Sequence, residues 1–185
     1  MTSKEKIAHA ATDIDSLAVI KYPDPRLKEV CTPIEEITDD VRALAARMKV
    51  LMFSNNGVGL AASQVGVTVR LFVTSPTFNP DDFHAYVNPE IISSEKPISE
   101  EEGCLSFPGI YCKIKRPGIV TVRALSLDGE ELRETHTGLA ARAFQHELDH
   151  LNGVLLADRM GSLARMVHRA ALSELVEEYQ SADRG

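Results

Sequence analysis

The sequence predicts an α+β fold in a single domain, with a mainly antiparallel sheet, a buried central helix and a C-terminal helix. Three observations lead there. Segments with a 3.6-residue apolar period stand near both ends, at 38–55 and 162–179, and again at 138–151. Between 67 and 136, short runs rich in Val, Ile and Phe are separated by turn signals. Strands grouped together and bracketed by helices, without strict alternation, are the pattern of α+β packing.

Taken in order, residues 1–15 are polar and carry no period, so a flexible N-terminal extension is expected there. One domain is expected over 16–185, since neither an internal repeat nor a low-complexity linker divides it. Tyr22-Pro23-Asp24-Pro25 marks an irregular entry, because each proline disfavours helix at the residue before it. Thr38-Asp39-Asp40 opens a helix with an N-cap candidate and acids in its first turn. Val41, Leu44, Ala45, Met48, Leu51 and Met52 give its apolar face, and Asn55-Asn56-Gly57 stops it.

Val67 to Thr74 reads as a strand, and Phe83 to Ile92 as a strand interrupted at Asn88-Pro89. Ile110 to Ile114 and Ile119 to Leu125 read as two strands parted by Pro117-Gly118. Leu127-Asp128-Gly129 is a turn, and Glu131 to His136 the returning strand. Gly138 to Leu151 is a helix. Ser162 to Tyr179 is a last amphipathic helix, with Leu163, Val167, Ala171, Leu175 and Tyr179 along one side.

Bulk properties narrow the function classes. The chain has 185 residues, 44% apolar and 25% charged, which suits one domain with a substantial core. A net charge of −7 argues against a nucleic-acid-binding domain, which needs a basic footprint. The longest run without a charge, Val50 to Val69, contains polar residues and three glycines, so no membrane span is expected. Lys4, Glu5 and Lys6 are not followed by an apolar core, so no secretory signal is expected either. Three cysteines, Cys31, Cys104 and Cys112, do not form a disulfide framework and point to a reducing compartment.

The chemistry concentrates in His146-Glu147-Leu148-Asp149-His150. Two histidines at i and i+4 share a helix face and can hold one ion, while Glu147 beside the first can act on a metal-held water. A charged surface helix with two chance histidines is the plainer alternative. Phe144, Leu148 and Leu151 weigh against it, since they form an apolar stripe that should bury this helix. A site needs a third ligand. A metzincin would place a histidine where Leu156 stands, so that group is disfavoured. A gluzincin would draw Glu174 from the last helix, although an exposed acid on an amphipathic face is the commoner reading. Cys104 is the other candidate, in Glu101-Glu102-Gly103-Cys104-Leu105-Ser106-Phe107-Pro108-Gly109, whose glycines and proline suit an irregular loop near a site. A lone cysteine is more often a small core residue.

Three segments taken together are far more specific than any one. Gly57-Val58-Gly59-Leu60-Ala61-Ala62-Ser63-Gln64, Glu102-Gly103-Cys104-Leu105-Ser106 and Gln145-His146-Glu147-Leu148-Asp149-His150 closely resemble, in order and spacing, the three signature motifs of the peptide deformylases. The likeness runs from about Val19 to Met160, and Tyr22-Pro23-Asp24-Pro25-Arg26-Leu27 shares it. Ser63 departs from the proline usual before the glutamine, which puts the stiffness of that loop in question.

The resemblance implies removal of the formyl group from N-formylmethionine of nascent polypeptides, with release of formate. It implies one divalent metal ion, usually Fe(II) and replaceable by Zn, Ni or Co, on Cys104, His146 and His150. It makes Glu147 the general base and acid for a metal-activated water, and Gln64 and the Leu105 N–H the oxyanion donors. It places Val58, Gly59, Leu139 and Ala143 near the methionine side chain. Arg142, one turn before His146, would stand toward the mouth, meeting peptide backbone or solvent, and Glu102 would anchor the Cys104 loop. Cys31 and Cys112 are read as packed thiols. The setting implied is the bacterial cytoplasm, with an organelle left open. The partners are formylated nascent chains and, through Arg159, Arg165 and Arg169, the ribosome near its exit tunnel. Neither a membrane nor sequence-specific nucleic acid is expected.

Overall fold

A computed structural model of the chain describes residues 1–182. Residues 183–185, the end of the domain expected over 16–185, lie outside the described residues.

The helical and sheet elements follow the α+β expectation. Helix α1 (Ser3–Ala11) and helix α2 (Asp39–Ser54) precede the sheet. The sheet is β1 (Gly59–Ala61), β2 (Leu71–Thr74), β3 (His84–Cys104), β4 (Phe107–Leu125) and β5 (Glu131–Thr137), in that spatial order with every pair antiparallel. Helix α3 (Gly138–Leu151) leaves β5 directly, through Gly138 at φ 55°. A left-handed backbone of this kind suits a residue without a Cβ. The chain ends in α4 (Leu156–Arg159), α5 (Ser162–Val167) and α6 (Arg169–Ala182).

Three differences from the expected elements have physical causes. The first is the extension over 1–15, which is not patternless. Thr2 and Glu5 form a capping box that starts α1, and Ile7 and Ala10 are buried in the core beside α2. Two apolar residues three apart suffice for this, and they are too few to register as a period.

The second is strand length. Asn88-Pro89 does not end β3. Asn88 takes φ 51°, the register shifts between Val87 and Glu90, and the Asn88 side chain exchanges two hydrogen bonds with the Ile34 backbone. Pro117-Gly118 likewise lies inside β4. Pro97 faces Pro117 across the ladder, so both missing N–H donors fall on one rung. The segment around Cys104 is correspondingly not an irregular loop. β3 runs to Cys104, β4 starts at Phe107, and Leu105-Ser106 is a two-residue hairpin tip.

The third is the last helix, which breaks at His168 into α5 and α6. Leu175 is buried, whereas Leu163 and Val167 are exposed, so the single apolar side does not pack as one.

Three apolar clusters hold the domain. One joins α1 and α2 to β1 and β2, through Val41, Leu44, Met48, Met52, Leu60 and Val73. A second joins the sheet to α3 through Phe72, Tyr86, Val120, Val122, Phe144, Leu148 and Leu151. In the third, Leu27, Phe107, Ile110 and Ile114 meet Leu155, Leu156 and Leu175. Helix α3 thus lies enclosed, with Ala141 to Gln145 and Glu147 to Leu151 all buried. Burial of polar side chains at such a place is tolerated only where they find partners.

Candidate metal centre

The sulfur of Cys104, the last residue of β3, meets the two histidines of α3. Cys104 Sγ lies 3.2 Å from His150 Nε2, and one ligand atom from each of Cys104, His146 and His150 falls within 4.8 Å of the others. Among the described residues no other group of three His, Cys, Asp or Glu side chains converges this way. Glu174 on α6 is exposed and outside the group, so the gluzincin alternative is set aside. Leu156, at the metzincin's histidine position, packs in the third apolar cluster.

The donor set fits a divalent cation. Tetrahedral sites of Cys and His hold their ligand atoms about 3.3–3.6 Å apart, close to the Cys104–His150 spacing. Glu102 Oε2 lies 3.3 Å from His146 Nδ1, which leaves Nε2 for an ion. The electrostatics point the same way. Burial pulls His146 down, but the negative charges of Cys104, Glu102 and Glu147 outweigh it and hold the ring well above its ordinary value. The site therefore favours a positive charge at that imidazole, and a metal ion would take the place of the proton. His150 goes the other way: burial, then the charges of His146 and Arg116, keep it well below its ordinary value and neutral.

Glu147 is buried against this group. Burial pushes its carboxyl up to about 7, opposed by the positive His146 and Arg116. Its Oε2 has no hydrogen-bond partner among the described residues, and His150 Nδ1 is in the same condition. Buried polar atoms without partners are rare and concentrate where a site awaits a ligand or a proton.

Gln64 faces the sulfur from the turn after β1. Its Nε2 donates to Ser106 Oγ at 3.1 Å and approaches Cys104 Sγ at 3.5 Å, while its Oε1 accepts from the Ala61 N–H at 2.8 Å. Ser63, the departure from the usual proline, is fully buried, and its hydroxyl reaches the His150 carbonyl at 3.4 Å. The hydroxyl thus ties the turn to α3, an anchor a proline could not supply.

A cavity of about 660 Å³ opens onto the group. Val58, Gly59, Gln64, Glu102, Leu105, Leu139, Arg142, Ala143, His146 and Glu147 all line it, so the structure brings the expected residues together. Gly57 and Gly59 leave room for the side chains that face them. A Cβ on Gly57 would sit 2.7 Å from Leu105 Cδ1, and one on Gly59 would sit 2.8 Å from Glu147 Cδ.

Two of these residues are held in buried ion pairs. Arg142 is buried and does not reach out to solvent. It pairs with Glu100 and lies 3.5 Å from both Glu102 Oε1 and the Glu101 carbonyl, because a guanidinium enclosed beside carboxylates is held by them. Glu102 is paired within the hairpin that carries Cys104. Oε1 and Oε2 accept from Arg116 at 2.8 and 3.0 Å, and Oε2 faces His146. Burial would raise its carboxyl, but His146 and Arg116 hold it below its ordinary value.

Arg116 was missed by sequence reasoning. It is 6% exposed in its side chain and also donates to Asp149 Oδ2 at 2.7 Å, while Arg159 binds the same carboxylate. One guanidinium thus joins the β3–β4 hairpin to α3. The signal was present: Ile110, Cys112 and Ile114 alternate inward along β4, and Arg116 continues that inward row. A charge on a buried row implies a buried partner.

With this geometry in view, the relatives are informative. The family model described as polypeptide deformylase matches residues 16–166. A peptide deformylase of Thermodesulfovibrio yellowstonii is 46% identical over 155 residues, 83% of this chain and 94% of that protein. One from Hydrogenovibrio crunogenus is 43% identical over 152 residues, covering 82% and 90%. Among solved structures, a peptide deformylase of Plasmodium falciparum superposes with a TM-score of 0.86 at 32% identity, over 88% of this chain and 97% of that one. One from Legionella pneumophila does so with a TM-score of 0.83 at 38% identity, over 89% and 97%. The match spans the converging Cys104, His146 and His150 as well as the sheet that positions them, and the chain belongs to the peptide deformylase family.

Proposed function

We propose that this protein removes the formyl group from N-formylmethionyl nascent polypeptides, converting a formamide and water to formate and a free amine. The observation that carries the reading is the buried Glu147 Oε2, without a hydrogen-bond partner among the described residues, beside three converging ligand atoms. Cys104, His146 and His150 would hold one divalent ion. Fe(II) is the first assignment, by family resemblance, and Zn, Ni and Co suit the same donors. Such an ion, when bound, supplies Lewis acidity and makes water nucleophilic near neutral pH.

The remaining work falls to this chain's own side chains. Glu147 takes the proton of the attacking water and returns it to the leaving amine, a task suited to a carboxyl raised to about 7. The Gln64 Nε2 amide and the Leu105 N–H at the hairpin tip donate to the oxygen on which charge develops. Losing one such donor costs about 2.7–4 kcal/mol of barrier. Val58, Gly59, Leu139 and Ala143 shape the space for the methionine side chain. Glu102 orients His146 through Nδ1, and Arg142 closes the wall beside it with Glu100.

The same reading sets the protein beside the ribosome in the cytoplasm, where formylated chains emerge. The basic surface available for this is smaller than the sequence suggests. Arg159 is tied to Asp149, which leaves the exposed Arg165, whose guanidinium donates only to the neutral Ala157 carbonyl, and Arg169. No helix among the described residues is long and apolar enough to cross a membrane.

The deciding experiment is formate release from formyl-Met-Ala by anaerobically purified protein of measured metal content. Glu147→Ala should lower turnover by about 10²–10⁴-fold with the metal retained. Unchanged turnover would remove Glu147 from the mechanism, and no formate from metal-loaded wild type would overturn the proposal.

A further inference from the structure

Arg159 is the last residue of the short helix α4, and its side chain is 47% exposed. Its guanidinium nevertheless reaches into the enclosed helix α3. Arg159 Nε donates to Asp149 Oδ2 at 2.9 Å, and Nη2 donates to Oδ1. A guanidinium that meets both oxygens of a carboxylate fixes its plane as well as its place.

The contacts continue inward from there. Asp149 Oδ2 also accepts from Arg116 Nη1 at 2.7 Å. Arg116 passes on to Glu102 through Nε and Nη2, at 2.8 and 3.0 Å. Glu102 Oε2 ends the series 3.3 Å from His146 Nδ1. The groups alternate in charge from Arg159 to Glu102, and each inner one is shared between two neighbours. The middle is closed to water, with the side chains of Arg116, Glu102 and Asp149 at 6%, 3% and 12% exposed. Among the described residues the Asp149 carboxylate accepts from these two arginines alone, and its Oδ1 from Arg159 alone.

We propose that Arg159 is a positioning residue for the imidazole of His146, acting through Asp149, Arg116 and Glu102. Without Arg159, Asp149 Oδ1 has no donor, and the carboxylate turns about its own bond to serve Arg116 with both oxygens. Arg116 then shifts against Glu102, because enclosed charges find no water to replace a lost partner. Glu102 sets the ring orientation of His146. Losing such a supporting contact typically costs about 10–100-fold in metal affinity or activity. Arg159 acts three contacts further out, so about 3–10-fold is expected from it. The plainer role, fastening α4 to α3, would cost stability and leave the metal centre as it is.

Cobalt-loaded protein separates the two roles, and only the activity arm rests on the proposed deformylase reading. Arg159→Gln should shorten the half-time of cobalt loss to a chelator by about 3–10-fold and shift the visible bands of the bound cobalt. It should lower kcat on formyl-Met-Ala with KM unchanged. Arg159→Lys, which keeps the charge without the fork, should recover part of the half-time. In a Glu102→Gln background the series is already cut, so adding Arg159→Gln should change the half-time no further. If Glu102→Gln fails to fold, the half-time and bands of Arg159→Gln decide alone. A wild-type half-time and unshifted bands in Arg159→Gln would overturn the proposal, as would an equal effect of that substitution in both backgrounds. Absence of formate from wild type would remove the deformylase reading and leave the cobalt measurements to judge Arg159.

Discussion

Gly59 and Glu147 occupy one space: a Cβ on Gly59 would lie 2.8 Å from Cδ of the Glu147 carboxylate. Gly59 belongs to the edge strand β1 and Glu147 to the enclosed helix α3, 88 positions on in the chain. Missing side-chain volume in one element is therefore what lets the other present its acid to the cavity. Gly59→Ala should displace that carboxylate. A displacement of about 1 Å costs about 10²-fold in rate when positioning is at stake. We expect that loss in kcat/KM with metal content unchanged, and full activity in the variant would show that the glycine serves backbone approach only.

Arg116 joins Glu102 and Asp149 in an enclosed network, and its removal would leave both carboxylates short of a partner. Breaking a buried pair from one side costs about 3–5 kcal/mol. Arg116→Met should therefore lower the unfolding free energy by an amount in that range at neutral pH. Glu102 is held below its ordinary 4.5, and a lowered carboxyl contributes stability above that value and loses it as pH falls through the folded value. The gap between wild type and variant should accordingly be full at pH 7 and narrow below about pH 4.5. A gap independent of pH would refute the charge argument.

The first helix belongs to the folded domain. Ile7 is 4% exposed against α2, and the capping box at Thr2 starts the helix that delivers it. Ile7→Ala should cost about 2–5 kcal/mol, as buried aliphatic truncations do. Thermal unfolding that is indifferent to this substitution would return residues 1–15 to the status of a lead-in.

Cys31 provides an alkaline signature. Burial pushes its thiol from 9.0 up to about 11, with the Ser63 hydroxyl and nearby cations only partly opposing it. A group whose folded value is raised contributes stability that is complete below the unfolded value and is lost as pH rises through the folded one. The unfolding free energy from urea titrations should thus hold up to about pH 9 and fall between there and about pH 11, by on the order of 2–3 kcal/mol from this group. Cys31→Ala should make the fall over that interval smaller, while Cys112, also raised by burial, keeps part of it. Tyr86, whose hydroxyl burial and Glu134 raise, adds a decline of its own from about pH 10 upward in both proteins. An equal fall from pH 9 to 11 in the variant would assign the transition elsewhere.

Local chemistry was legible wherever it repeats along the chain. The apolar period of α2, the bounds of α3 and the His146-Glu147-His150 grouping were all readable because a helix maps sequence spacing directly onto one face. The Cys104 and Gln64 segments were readable as a resemblance, and the structure places both at the cavity. What sequence spacing could not supply was anything settled by two distant segments meeting. Asn88-Pro89 and Pro117-Gly118 read as breaks, since a proline's lost donor is visible locally while the bulge and the facing Pro97 that absorb it are not. Tertiary packing alone decided that α1 docks and that Arg142 turns inward. It also decided that Arg116 ties Glu102 to Asp149, and that Arg159 reaches the same Asp149 carboxylate from α4. The reason is physical: a buried charge or a half-covered helix acquires its sign and value only from what encloses it, and the enclosing residues come from elsewhere in the chain.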